Sequence, residues 1–532
     1  MKYDIFKTIK KTLAVSLPMC LMAFSSVLTS CDDYLTLYPE DDIVDDEYWV
    51  DGNKVQSVVA SGYRYMADNN VLRKMVYWGE MRGDNVDYST GGTEEEYLHD
   101  ANILSSSSLV KWDGFYKVIN ICNNVIKKAP VVREKDVNFT EEKLHSYMAE
   151  AYTIRALCYF YLVRSFGDVP YVTEPSDSEQ KNYMVDQAPA DSIVNCLIGD
   201  LEQYGIQWAP NDWETEEYSH GRITLNAVRA LLADIYLWRA SDIKNETADA
   251  DYQQCVDLCN AILSDENSTL VFSEAESMYN DVFYRGNAPE NIFELNFVTN
   301  GLANSSTSTL YGNTNKSATP HFLPSQKLYS LYSENDTRRY QYLQLNYASS
   351  STTPMVSSYR VFKYEGQRPA SDFGTTDYVY RSSSSYANWI FYRLADIYLM
   401  KAEALAQLAK DKNDENLAKL SLHMCNVIHS RATLEKDTLE MGQISDLESI
   451  VLEERRRELC FEGKRWYDLL RKVRRDGTTK NAVDILVSAR SGDTQLFEAR
   501  LSSEEAWYLP ISKTEMNANP HLHQNSYYRL RE

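Results

Sequence analysis

Along most of this 532-residue chain, apolar side chains return every three or four positions, the period of an amphipathic helix rather than the alternation of a strand. Leu232–Leu237 and Leu394–Leu399 both read LADIYL, and the core of that string, Tyr-Leu-x-basic, returns at Tyr161–Arg164. In each full copy a leucine, an alanine and a tyrosine (Leu232, Ala233, Tyr236; Leu394, Ala395, Tyr398) fall at helical spacing, so one face sets a large residue beside a small one. Such a face lets a neighbouring helix come close. Between Val451 and Arg471 the stripe is Leu452, Leu459 and Trp466, widened by Cys460 and Leu470, with Glu453 four positions before Arg457. This predicts an amphipathic helix with a buried seam, interrupted at Gly463 by a bend or a close backbone approach. Neighbouring acids neutralise the Arg455–Arg457 run, which therefore reads as scaffold.

A small-beside-aromatic face repeated along a helical chain resembles tetratricopeptide-type helix pairs, whose units bury their faces only against one another. The two LADIYL copies lie too far apart for neighbours in a tandem array, so the expected fold is mainly α, with degenerate helix pairs interrupted by insertions. Segments around 85–108, 209–221, 297–325 and 348–388 are rich in Ser, Thr, Asn, Gly, Pro and Tyr and read as loop-rich insertions. Long loops on a rigid scaffold are where binding usually resides. No linker divides residues 31–532, which are expected to form one domain. Trp78, just ahead of the first insertion, is expected in the core, and Arg82-Gly83-Asp84 reads as a turn.

The first 30 residues are of another kind. Lys2, Lys7, Lys10 and Lys11 precede an apolar run from Leu13 to Thr29, the build of an export signal. The run falls short of the ~20 strongly apolar residues of a membrane span, and Ser16, Pro18, Ser25 and Ser26 weaken it further. Leu28-Thr29-Ser30-Cys31 resembles a bacterial lipobox, which implies removal of residues 1–30 and acylation of Cys31.

Charge and chemistry narrow the function. A formal net charge of −23 repels phosphate backbones, so nucleic acid is not an expected partner. The 39 tyrosines and 9 tryptophans exceed ordinary usage and supply both core packing and candidate stacking surfaces. Cys122, Cys158, Cys196, Cys255, Cys259, Cys425 and Cys460 sit in helix-like apolar patterns and read as buried thiols. Cys255 and Cys259 share a helix face without a second pair to complete a zinc site, and His521-x-His523 does not close a metal site either. The sequence contains no H-E-x-x-H, no G-x-S-x-G, no phosphate loop ending G-K-[ST] and no EF-hand loop, so no enzymatic activity and no cofactor are expected.

Four blocks carry a family resemblance. RALCYFYLVRSFGDVPY (Arg155–Tyr171), FYRLADIYLMKAEAL (Phe391–Leu405), EERRRELCFEGKRWYDLLR (Glu453–Arg471) and YLPISKTEMNANPHLHQN (Tyr508–Asn525) are similar to signatures of the SusD/RagB family of outer-membrane nutrient-binding lipoproteins in Bacteroidetes. Ser512 stands where the family commonly has a second proline. The resemblance implies a tetratricopeptide-like fold with large insertions, lipid-anchored at the outer membrane and facing the cell exterior. It also implies a lid on a SusC-like TonB-dependent barrel that captures an oligomeric nutrient for import. Asp32 and Asp33 resemble the signal that sends such lipoproteins to the outer face. Calcium is associated with some members, but no loop here has a ligand spacing that demands it.

A glycan is the first candidate for the nutrient, since sugar rings stack on aromatic faces while amides and carboxylates fix their hydroxyls. The loop residues of that chemistry are Asn85, Asp87, Tyr88, Tyr97, Trp213, Tyr218, Tyr311 and Asn313. Two alternatives stay open at this point: a peptide-binding lid of the RagB type, and a tetratricopeptide-like scaffold that binds protein alone.

Overall fold

The computed structural model describes residues 48–529, apart from 177–183, 267, 274–278, 298–302, 312–319, 348–353, 368–378 and 381–386. Cys31 and Asn313 lie outside the described residues. The scaffold of Val50–Glu532 is helical, built from hairpins joined by short connections. Asp113–Lys135 packs against Glu141–Phe166, Leu225–Ala240 against Ala248–Leu263, and Leu394–Lys412 against Glu415–Ala432, with Ala248–Leu263 also packing on Leu394–Lys412.

Local chemistry sets the ends of these helices. Thr140, Thr224 and Asp414 each cap an N-terminus, accepting from Lys143, Ala227 and Asn416 amides respectively. Gly477, at φ 60°, closes the Arg465–Asp476 helix in the left-handed region that favours glycine.

The two LADIYL copies lie in the first helix of the second pair and of the third. Leu232, Ala233, Leu394 and Ala395 are buried as the spacing predicts, and so is the acid between them. Asp234 receives Arg164 and the Tyr392 hydroxyl, at 3.3 and 3.0 Å. Asp396 receives Arg455 and Lys464, at 3.0 and 2.7 Å. The basic residue of the third echo, Arg164, is thus the partner of the acid in the first.

Trp78 is in the core, stacked on Phe115 and edge-on to Phe166. The Val451–Arg471 stripe is two helices, Leu447–Leu459 and Arg465–Asp476, separated by a full break rather than a bend. Phe461 and Gly463 both take positive φ in the break, at 69° and 75°. The close approach expected at Gly463 is to Gly79, where an added Cβ would lie 1.9 Å from the Gly463 carbonyl oxygen.

Other expectations need correction. Cys196 is exposed, unlike the other six described cysteines. Arg82-Gly83-Asp84 is the turn the sequence suggests, and its Arg82 and Asp84 side chains are buried. The insertions are not wholly loop, since Val86–Tyr88 pairs with Phe322–Pro324, and at the borders of the later two Asn291–Leu295 pairs with Trp389–Arg393, both antiparallel. Their Val, Ile, Phe, Tyr and Trp side chains suit a pleated surface packed against helices.

Candidate functional site

The insertion around 85–108 is a surface loop fixed at several points. Tyr88 stands opposite Phe322 in the strand pair, and the Ser89 and Thr90 amides both donate to the His321 carbonyl. Gly91, at φ 144°, makes a turn that other residues rarely adopt. The short helix Thr93–His99 follows. Glu95 caps it by accepting from the Gly92 amide at 3.0 Å, and its second oxygen accepts from the Tyr77 hydroxyl at 2.9 Å. Glu94 accepts from both the amide and the hydroxyl of Ser108, at 2.9 and 2.6 Å, which closes the loop on itself. Beyond the helix, Arg490 donates to Asp100 and to the His99 carbonyl.

On this frame Asp87, Tyr88 and Tyr97 are half-buried. Burial raises the Asp87 carboxyl above its ordinary value, against the pull of His99 and Arg490. Tyr97, Thr93, Glu94, Ile103, Leu104, Ser106 and Ser107 line a depression of about 150 Å³. Deep ligand pockets run to ~300–1,000 Å³, so this is a shallow surface depression well below that range. Its chemistry is mixed: an aromatic ring, the half-exposed Leu104, three hydroxyl-bearing side chains and a carboxylate. Such a lining accepts the apolar face of a ring and exchanges hydrogen bonds with its rim.

The other candidates do not join this group. Asn85 is fully buried; its amide donates to Glu80 at 2.8 Å and its carbonyl accepts from Arg456 at 3.1 Å. Tyr311 is also buried, and its hydroxyl donates to the Phe461 carbonyl at 3.0 Å. Both are corrections to the sequence reading, since their polar atoms are engaged inside the core. Trp213 is half-buried in a different cluster, donating from Nε1 to the Ile223 carbonyl at 3.0 Å. The Arg222 guanidinium covers one face of its ring at 3.3 Å and is held by Glu150 through two bonds. Tyr218 lies in the short helix Glu216–Gly221.

Sequence reasoning missed the lining residues Thr93, Glu94, Leu104 and Ser106. The Gly-Gly-Thr-Glu-Glu string at Gly91–Glu95 carries a readable helix start, with the acid three residues after Gly92. The return of Ser108 to Glu94 has no local signal.

The Glu453–Arg471 block is a charge-dense interior. Arg338, fully buried, is shared by Asp336, Glu454 and Glu458. Arg393 joins Glu290, Glu458 and Glu462, and Lys363 adds a second cation at Glu462. Arg456 and Arg465 converge on Asp84. Burial raises the Asp84 carboxyl, and those two guanidiniums more than offset it, holding it down at about 2. These residues hold distant segments together with ion pairs closed off from solvent.

Comparison with known proteins places this geometry. Residues 289–528 match the model of the SusD family, and residues 33–237 match a model described as "Starch-binding associating with outer membrane". SusD-like protein P38 of Formosa agariphila is 24% identical over 510 residues, covering 90% of this chain and 93% of its own. A SusD-like protein of Bacteroides ovatus is 25% identical over 467 residues, covering 82% and 79%. Among solved structures, a SusD homolog from Bacteroides thetaiotaomicron superposes with a TM-score of 0.73 at 19% identity, covering 92% of this chain and 99% of that one. A SusD superfamily protein from Parabacteroides distasonis gives 0.67 at 23% identity, covering 89% and 98%.

Proposed function

This chain belongs to the SusD/RagB family, and from that premise we propose that it is a surface lipoprotein that captures an oligosaccharide and caps a SusC-like TonB-dependent barrel. The broader class, a SusD-type nutrient-binding protein, follows from the family itself, whose members bind rather than catalyse. The observation that carries the glycan reading is the 85–108 loop, where Tyr97 and Leu104 sit beside hydroxyls and Glu94 over a shallow depression. An extended chain of sugars suits open surface subsites of this size, each taking one ring.

Anchoring through Cys31 is supported by the register of the basic start, the apolar run and Leu28–Cys31, with Asp32 and Asp33 as the outward signal. Among the described residues no helix is long and apolar enough to cross a membrane. A glycan and peptide panel titrated calorimetrically against the chain from Asp32 onward tests the ligand. Glycan binding lost on Tyr97→Ala supports the assignment; binding of peptides alone transfers it to the RagB-type lid. Co-purification with a large outer-membrane barrel tests the partner.

A further inference from the structure

Most buried carboxylates of this protein meet a cation, as Asp84, Glu150, Asp234, Glu290, Asp396, Glu403, Glu454, Glu458 and Glu462 do. Glu294 is different. It is fully buried in the strand Asn291–Leu295, and its hydrogen-bond donors are all neutral: the Asn287 amide at 2.5 Å, the Asn291 side chain at 2.8 Å and the Asn388 side chain at 2.8 Å. The chain bends around it through Gly286 and Asn287, both at positive φ, 75° and 52°. That turn is tight, since a Cβ on Gly286 would stand 2.3 Å from Asn388 Nδ2.

From Glu294 a hydrogen-bonded line runs to the surface. Asn388 Nδ2 also donates to Asn296 Oδ1 at 2.9 Å, and Asn388 Oδ1 accepts from the Phe297 amide at 3.0 Å. Asn296 Nδ2 donates to the Glu217 carbonyl at 3.2 Å, in the helix Glu216–Gly221. Ser219 of that helix accepts from the Trp213 amide at 2.9 Å. Asn296 is packed closely there, because a Cβ on Gly221 would lie 2.4 Å from its Nδ2.

We propose that Glu294 is a proton-operated latch, whose protonation state sets how firmly the turn at 286–288, the strand end at 295–297 and the helix Glu216–Gly221 beside Trp213 are held together. The inference does not depend on which ligand the protein carries. Charged groups on the elements around it are engaged elsewhere or bond it through none of their side chains: Arg393 with Glu458, Glu462 and Glu290, and Asp281 with Arg285. On the 216–221 helix the titratable groups are Glu216, Glu217, Tyr218 and His220, and the bond from Asn296 is accepted by a backbone carbonyl. Burial without a counter-charge pushes the Glu294 carboxyl up to about 7, more than its three hydrogen bonds pull it down. The closed arrangement therefore favours the acid form. Raising the pH from about 4.5 toward 7 favours local opening, because the opened carboxyl ionises freely, and the effect levels off once the closed form is ionised too.

Hydrogen exchange of the full mature chain at pH 5.5 and pH 8, expressed as protection relative to the intrinsic rate at each pH, tests the latch. Protection of amides in 286–297 is expected to fall on the order of tenfold from the lower to the higher pH, and protection in 216–221 to fall with it. Glu294→Gln keeps the shape without the titration and should abolish both changes. Asn296→Ala cuts the line to the helix, so 216–221 should lose its pH dependence while 286–288 keeps it. PH-independent protection in the wild type, or an unchanged pH profile in Glu294→Gln, overturns the latch. Unchanged coupling in Asn296→Ala overturns the relay.

Discussion

Arg393 and Glu458 meet at 2.8 Å with neither side chain exposed, one at the end of a strand that enters a repeat helix and the other in the first helix of the most charged sequence block. Glu458 also accepts from Arg338 and Arg431, so three cations surround one carboxylate. Removing it takes one carboxylate from three buried cations that keep their other partners, and breaking a buried pair in this way typically costs ~3–5 kcal/mol. Glu458→Ala should lose about that much in denaturant unfolding. Glu453→Ala, which removes an exposed partner of Arg457, should lose ~0–1 kcal/mol.

Acid should weaken the fold from the same interior. Asp84 is held at about 2 by Arg456 and Arg465, against the upward push of burial, and Glu454 at about 2 by Arg338 and His429, also against burial. Carboxyls depressed on folding contribute stability above the ordinary carboxyl range near 4 and lose it as pH falls through about 2. The melting temperature should therefore fall between about pH 4.5 and pH 2. Asp84→Asn, starting less stable, should fall less over that interval.

Glu80 works with the opposite sign. Burial raises it to about 7 despite hydrogen bonds from Asn85, Phe461 and Gly463. Its contribution should decline as pH rises from about 4.5 to 7 and then stay level, because the folded state holds a proton that the unfolded state releases. Thermal melts of Glu80→Gln should lack that part of the pH profile.

The contact between Gly79 and Gly463 leaves no room for a methyl group. Gly79→Ala must displace backbone rather than a flexible side chain, and should cost ~1–3 kcal/mol or more. Gly199, in the helix Ala190–Asp200, has nothing within 4 Å of an added Cβ. Gly199→Ala should raise stability by roughly 0.5–1 kcal/mol, read in the same denaturant series.

Binding and stability should separate at the tyrosines. Tyr97→Ala is expected to weaken glycan binding about tenfold or more, since loss of a stacking platform of ~1–2 kcal/mol is of that order, with little change in melting temperature. Tyr311→Ala should lower the melting temperature, because it empties a buried site and strands the Phe461 carbonyl.

The helical framework was legible because its signal is periodic. LADIYL predicted buried faces at both copies, and the break at Gly463 was marked by a glycine inside a helical stripe. The loops were harder to read. Tyr311 carries the same chemistry as Tyr88 and Tyr97, and its burial, like that of Asn85, is decided by contacts with Phe461 and Arg456, which are remote in sequence. Composition shows which residues suit a ligand, but tertiary contacts decide which of them reach the surface. The ion network was half visible: the Arg455–Arg457 run read correctly as scaffold, whereas its partners Asp84 and Asp396 lie outside that block.

The grip of Arg465 on Asp84 joins positions 381 residues apart. Until the later segment arrives, Asp84 lacks its guanidiniums and Glu80 lacks the Phe461 and Gly463 amides, and the helix Asn69–Gly79 lacks the loop that closes over it. An emerging chain of this kind cannot settle in order from its front end. It stays pliable until nearly all of it has been made. A copy cut short before the Arg465–Asp476 helix would carry the whole loop surface yet lack its keystone, and would be recognised by proteases as unfinished.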